Sequence, residues 1–197
     1  MLTLSDQIDH EAHQIDFSLL ERVLSPYSPA GTDYLKSMQL EDTCQCASSV
    51  DDAPLFVSSG AYQIPTSCYI QDTGHFNAVE FLICYNQLAY ATFAHLVEGE
   101  YFNMPEFTDA CPKISDALEG MSIEHYFKHQ LSSMLILKTE TRFKSIINAK
   151  DFYGTLTIKK LKRRKDTIFI ETKCVFRDDD GGYAEGNVLL AYQPKFN

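Results

Sequence analysis

Between Phe76 and Leu96 the chain reads FNAVEFLICYNQLAYATFAHL, a run that is apolar on nearly every side. A helix that is hydrophobic all round has no face for water, so it is buried in a protein core or in a membrane. Glu80, Asn86 and Gln87 interrupt the run, and such groups are costly in hydrocarbon. The segment is therefore expected as a core helix, and the remaining chain must supply the shell that covers it.

The flanking sequence supplies strands. Tyr34–Thr43 partly alternates, and Leu55–Ile64 follows after a polar loop. Downstream, Ser133–Phe143, Phe152–Leu161, Thr167–Phe176 and Tyr183–Tyr192 alternate between apolar and polar residues, the period of half-buried strands. Asp178-Asp179-Asp180-Gly181-Gly182 is a hairpin-turn signal between the last two. A helix is predicted over about 9–24, stopped by Pro26 and Pro29. A short helix is predicted over 122–130, with Ser122 as its N-cap. One buried helix followed by consecutive antiparallel strands makes an α+β domain. A sheet rolled round a helix at about Asn77–Leu96 is the hot-dog arrangement. We expect a single domain over 1–197. Its stretch 98–120, with two prolines and two glycines, is expected as an insertion or lid.

At 197 residues with a net charge of -10, the chain lacks the basic balance of a nucleic-acid binder. Its first residues carry no signal-peptide pattern, so a cytoplasmic protein off the membrane is expected. The six cysteines form no CxxC pair, and free thiols are expected. His125 and His129 are four apart. They lack the glutamate and third ligand of a zinc motif, so no metal or cofactor is predicted. The basic run Lys159–Lys165 is either a solvated edge strand or a docking patch for phosphate or an acidic carrier protein.

Polar groups gather where the long helix begins. Asn77 and Glu80 have the spacing of a capping box, which accounts for both without chemistry. His75 precedes the cap in a glycine-bearing turn and Tyr69 lies on the approach; neither has a capping explanation. Histidine acts as a general base near neutral pH. The unpaired N–H groups at a helix N-terminus hold a developing oxyanion.

Three signatures then resemble one family. They are Ser67-Cys68-Tyr69-Ile70 with Thr73-Gly74-His75-Phe76-Asn77-Ala78-Val79-Glu80, then Cys84-Tyr85-Asn86-Gln87-Leu88-Ala89-Tyr90, then His129-Gln130-Leu131-Ser132-Ser133-Met134-Leu135-Ile136. Upstream, Arg22-Val23-Leu24-Ser25-Pro26-Tyr27-Ser28 resembles a further segment. Together they are similar to the FcoT-like thioesterases. The resemblance implies a hot-dog fold, a homodimer or higher homo-oligomer, and acyl thioesters of acyl carrier protein or coenzyme A as substrates. Similar members add glycine to a (2E)-enoyl thioester and then hydrolyse it. On this basis His75, Tyr69, Asn77 and Glu80 are candidate catalytic residues. Tyr27, Ser67, Gly74, His129 and Ser133 are candidate substrate-binding residues. A plain acyl thioesterase and a non-catalytic acyl-binding domain are the alternatives.

Overall fold

The protein is described by a computed structural model over residues 13–41, 54–70 and 74–193. Gln71, Asp72 and Thr73 of the central stretch, His10, Cys44 and Cys46 lie outside the described residues. Seven strands form one antiparallel sheet in the order β1-β2-β3-β5-β6-β7-β4. They are β1 (His13–Gln14), β2 (Leu35–Glu41), β3 (Phe56–Tyr62), β4 (Met134–Ser145), β5 (Phe152–Arg164), β6 (Thr167–Arg177) and β7 (Tyr183–Tyr192). The central helix α2 (Ala78–Glu98) lies against the inner face of this sheet. This is the hot-dog architecture expected from the sequence.

The inner face follows from residue alternation. In β3, Phe56, Ser58, Gly60 and Tyr62 turn inward and their neighbours outward; in β7 the even-numbered residues from Ala184 to Leu190 do the same. Two glycines let the sheet close on large rings. A Cβ on Gly186 would come within 2.7 Å of the Phe81 ring, and one on Gly154 within 2.6 Å of Phe176. Aromatic side chains fill the space so created: Phe76 packs against Phe81, Phe143, Phe152 and Phe176.

Two buried polar side chains of α2, Gln87 and Tyr85, find partners across the core. The Gln87 carbonyl oxygen accepts from the N–H groups of Tyr34 and Leu35 at 3.0 and 2.9 Å, and its amide nitrogen donates to the Thr32 carbonyl. This side chain therefore anchors the start of β2 to the helix. Tyr85 and Thr172 share a 2.8 Å hydrogen bond between helix and sheet. Unpaired, such groups would each cost about 1–3 kcal/mol.

Three sequence expectations differ in detail. The first helix, α1, spans Phe17–Leu24, because Asp16 caps it through the N–H groups of Ser18 and Leu19. His13 and Gln14 instead pair with Leu40 and Gln39 as a strand. The stretch 98–120 forms a 3-10 turn and two short helices, α3 (Pro105–Ala110) and α4 (Pro112–Leu118). Phe102 and Phe107 from this stretch are buried and stack around Phe56. It thus sits at the C-terminal end of α2, away from the end where His75 lies. The last helix, α5 (Ile123–Ser133), starts on the Ser122 cap as predicted and runs directly into β4.

Cys68, Cys84, Cys111 and Cys174 are free thiols. No helix among the described residues is long and apolar enough to cross a membrane.

Candidate active site at the mouth of the central helix

The mouth is fixed from inside by Phe76. Its ring is 2 % exposed, and its N–H donates to the Ile147 carbonyl at 3.1 Å. The loop leading into α2 is thereby pinned to the connection between β4 and β5. Gly74 supplies the left-handed turn just before, at φ 74°; a side chain there would be strained. With Phe76 held inward, its neighbour His75 is exposed and Asn77 is half-buried. Both line a cavity of about 450 Å³ with Phe76, Ala78, Phe143, Lys144, Ser145 and Ile146.

Asn77 is the N-cap of α2 and closes the predicted capping box. Its Oδ1 accepts from Val79 N at 3.0 Å, from Glu80 N at 3.3 Å and from the Tyr69 hydroxyl at 3.0 Å. The Glu80 carboxylate, 2 % exposed, accepts in turn from Asn77 N at 3.2 Å. Three donors on Oδ1 fix which end of the amide is oxygen, since turning it over would face Nδ2 to three N–H or O–H groups. The amide Nδ2 is then left buried with no hydrogen-bond partner. A buried donor without a partner is costly in a folded protein, and here it sits beside the positive end of a helix dipole. This arrangement can receive an oxyanion. Glu80 therefore orients, while Asn77 both caps and presents a donor.

Beside this network, the Tyr34 ring is buried at 1 % exposure. Burial, then a hydrogen bond with the Cys68 thiol, pushes its hydroxyl pKa up. Sequence reading passed over Tyr34 because it reads as an ordinary strand residue; only the fold brings it to Cys68 and Glu80. It also passed over Phe143 and Ile146, which line the mouth because the end of β4 brings the Phe143 ring against Phe76 and Phe81. Lys144 completes that wall. Its ammonium is 2.8 Å from Glu185, and this contact, with the Tyr183 hydroxyl, holds the Glu185 carboxyl down at about 2.

The other candidates are placed as follows. Ser67 lies on the approach with its hydroxyl buried and unpartnered. Tyr27 follows α1 and lies near Cys84 and Tyr90; burial, then these neighbours, pushes its hydroxyl pKa well up. The hydrogen bonds that join Tyr69, Asn77 and Glu80 do not include Tyr27. His129 and Ser133 are on α5, at the far end of the exposed part of α2. The His129 ring stands 4.7 Å from that of His125; the Ser133 hydroxyl is buried without a partner. Among the described residues no three His, Cys, Asp or Glu side chains come together to hold a metal.

Comparison with known proteins agrees with the sequence signatures. Residues 22–192 match the family model of the FcoT-like thioesterase domain. A Mycobacterium tuberculosis protein named (2E)-enoyl-ACP glycyltransferase is 39% identical over 176 residues, covering 88% of this chain and 84% of that protein. A Streptomyces coeruleorubidus protein of the same name is 32% identical over 183 residues, covering 90% of this chain and 96% of that protein. A solved structure of a mutant thioesterase from Pseudomonas aeruginosa is 9% identical, with a TM-score of 0.44 over 92% of this chain and 96% of its own. With its family match running from the first helix to the last strand, the chain belongs to the FcoT-like thioesterase family.

Proposed function

We propose that this protein adds the amine of glycine to the β carbon of a (2E)-enoyl thioester and then hydrolyses the thioester. The observation that carries the reading is the buried, unpartnered Nδ2 of Asn77 at the N-terminus of α2. The names of the related mycobacterial and streptomycete proteins support the choice of glycine and an enoyl-ACP. In the proposed reaction His75 takes a proton from the glycine ammonium. The free amine attacks the β carbon, the C2–C3 π pair moves toward the carbonyl, and an enolate forms on the thioester oxygen. Asn77 Nδ2 and the first N–H groups of the helix stabilise it. Reprotonation at the α carbon gives the saturated adduct. Water then attacks the same carbonyl, the tetrahedral oxyanion occupies the same donors, and the thiol leaves. Tyr69 keeps the Asn77 amide in orientation throughout. The product is a 3-[(carboxymethyl)amino] fatty acid, a precursor suited to isonitrile lipopeptides. The reaction requires no cofactor and is assigned to the cytoplasm.

The working form is a homo-oligomer. β4 has one edge unpaired, and along it Leu135 and Leu137 are each 51% exposed. The apolar start of this edge, Leu135–Leu137, invites pairing with another strand, and a second copy of β4 is its complement.

A plain acyl thioesterase is the second reading, favoured by the family model's description. Release of free thiol from a (2E)-enoyl thioester, measured with and without glycine, separates the two. The glycine reading expects release to depend on glycine. Equal, glycine-independent release from enoyl and saturated thioesters would favour the plain thioesterase.

A further inference from the structure

The mouth opens onto a strongly charged face that the proposed chemistry does not use. The register of β4 against β7 shifts between Phe143 and Ser145. Lys144 is therefore an extra residue in the strand, and a bulge of this kind re-aims a side chain. Lys144 lines the mouth cavity with His75 and Asn77, yet its ammonium reaches the Glu185 carboxylate at 2.8 Å. Glu185 lies on the outer face of the sheet, since its neighbours Ala184 and Gly186 are the buried ones.

Cations crowd this one carboxylate. Lys173 of β6 stands 3.5 Å from it. Arg142 of β4 pairs with Glu185 in register and is exposed. The Tyr183 hydroxyl donates to Glu185 at 2.9 Å. Over the Tyr183 ring lie the Lys144 ammonium, 4.6 Å from its centre, and the Arg177 guanidinium, 5.1 Å from it. Two acids nearby are already engaged. Glu140 pairs with Lys138 at 2.8 Å, and Asp178 accepts from the backbone N–H groups of Asn148, Asp180 and Gly182. Lys144, Lys173, Arg142 and Arg177 set against Glu185 leave a positive excess, in a chain whose net charge is -10. A local field of that sign attracts anions.

We propose that this cationic face seats the 4′-phosphate of a pantetheine thioester, with Lys144 joining it to the mouth. The inference rests on the reading of the mouth as an acyl-thioester site. The span fits. Pantetheine runs about fourteen bonds from thioester carbon to phosphorus, about 17 Å when extended. The mouth cavity, of about 450 Å³, has the volume of a sphere about 10 Å wide, and adjacent strands lie about 5 Å apart. A phosphate held over Glu185 and Tyr183 on β7, one strand from Lys144, is thus about 15 Å from a carbonyl at Asn77. The charge fits too, because a phosphate engages several cations at once and lysine serves it as a point charge. Glycine is too short to touch this face while its amine attacks at the mouth.

The test is equilibrium binding of S-octyl pantetheine and S-octyl 4′-phosphopantetheine, thioethers that differ only in the phosphate and cannot be hydrolysed. At low ionic strength the phosphorylated ligand should bind about ten- to a hundredfold tighter, the range of charge-assisted hydrogen bonds. Added salt should shrink that ratio. Replacing Lys144 and Lys173 together by alanine should bring the two affinities level, and Lys144→Arg should keep them apart. Glu185→Gln should widen the ratio, because the carboxylate that competes for the cations is gone; it also serves if the double variant is poorly folded. S-octyl coenzyme A and a carrier protein charged with the same phosphopantetheine thioether bear this phosphate as well, and the tighter of the two identifies the donor that the face serves. Equal affinity for the two small thioethers, a ratio that survives loss of both lysines, or a ratio that Glu185→Gln lowers overturns the proposal. Failure of both thioethers to bind would instead overturn the acyl-thioester reading of the mouth.

Discussion

Asn77 performs two jobs that ordinary alanine substitution would confound. Its Oδ1 caps α2, and its Nδ2 is the unpartnered donor. Asn77→Asp separates them, because a carboxylate keeps the cap acceptor and even suits the helix dipole. We expect little change in Tm for Asn77→Asp, measured by calorimetry, but a fall of about 10²–10³ in kcat, the size associated with loss of one oxyanion donor. Retained activity would reduce Asn77 to a cap. His75→Ala should lower adduct formation by about 10² or more if His75 is the general base, and unchanged turnover would return it to the surface of the loop. The capping box was legible in the sequence because it depends only on a spacing of three residues. The orphaned Nδ2 was not. It follows from Tyr69 folding back onto Oδ1, a contact between residues eight apart across a loop.

At the level of elements, β4 carries two roles on its two sides. Its inner residues face α2, and its free edge bears Leu135 and Leu137. Leu137→Asp places a charge on that edge without touching the mouth. Light scattering should show a shift from oligomer to monomer; an unchanged mass would remove β4 as the interface. Alternation in the sequence identified β4 as a strand, but alternation does not give strand order. β4 skips its chain neighbour β5 and pairs with β7 instead, which is why the entry of Phe143 and Ile146 into the mouth could not be read. The two-residue strand β1 was also hidden, since its pairing with β2 is too short to leave a periodic pattern. Residues 98–120 read as irregular because their helices are short. Their aromatic residues, Phe102 and Phe107, are core residues that pack on Phe56.

For the whole molecule, the titratable groups that folding shifts define a pH window of stability. Burial, then the neighbouring His13, lowers the His95 pKa from its ordinary 6.5, and both ring nitrogens are buried without partners. The unfolded chain therefore binds this proton more readily, and stability is lost as pH falls below about 6.5. Lys144 and Tyr183 hold Glu185 near 2, so a further loss sets in as pH drops from about 4.5 towards that value. In the other direction, burial raises Cys84 and Tyr62 above their ordinary 9.0 and 10.0. The unfolded chain releases these protons first, and stability falls as pH rises past about 9. Thermal melts should show a plateau between these limits, and His95→Gln should flatten the step just below 6.5. A Tm that rises on acidification through 6.5 would contradict the assignment. The overall fold was the most legible level, because one helix that is apolar all round forces a shell of strands about it. The chemistry at its mouth is decided most directly by mass spectrometry of the acid released from a (2E)-enoyl thioester in the presence of 15N-glycine. The account predicts a saturated acid heavier than the enoic acid by one labelled glycine, and free enoic acid alone at every glycine concentration would contradict it.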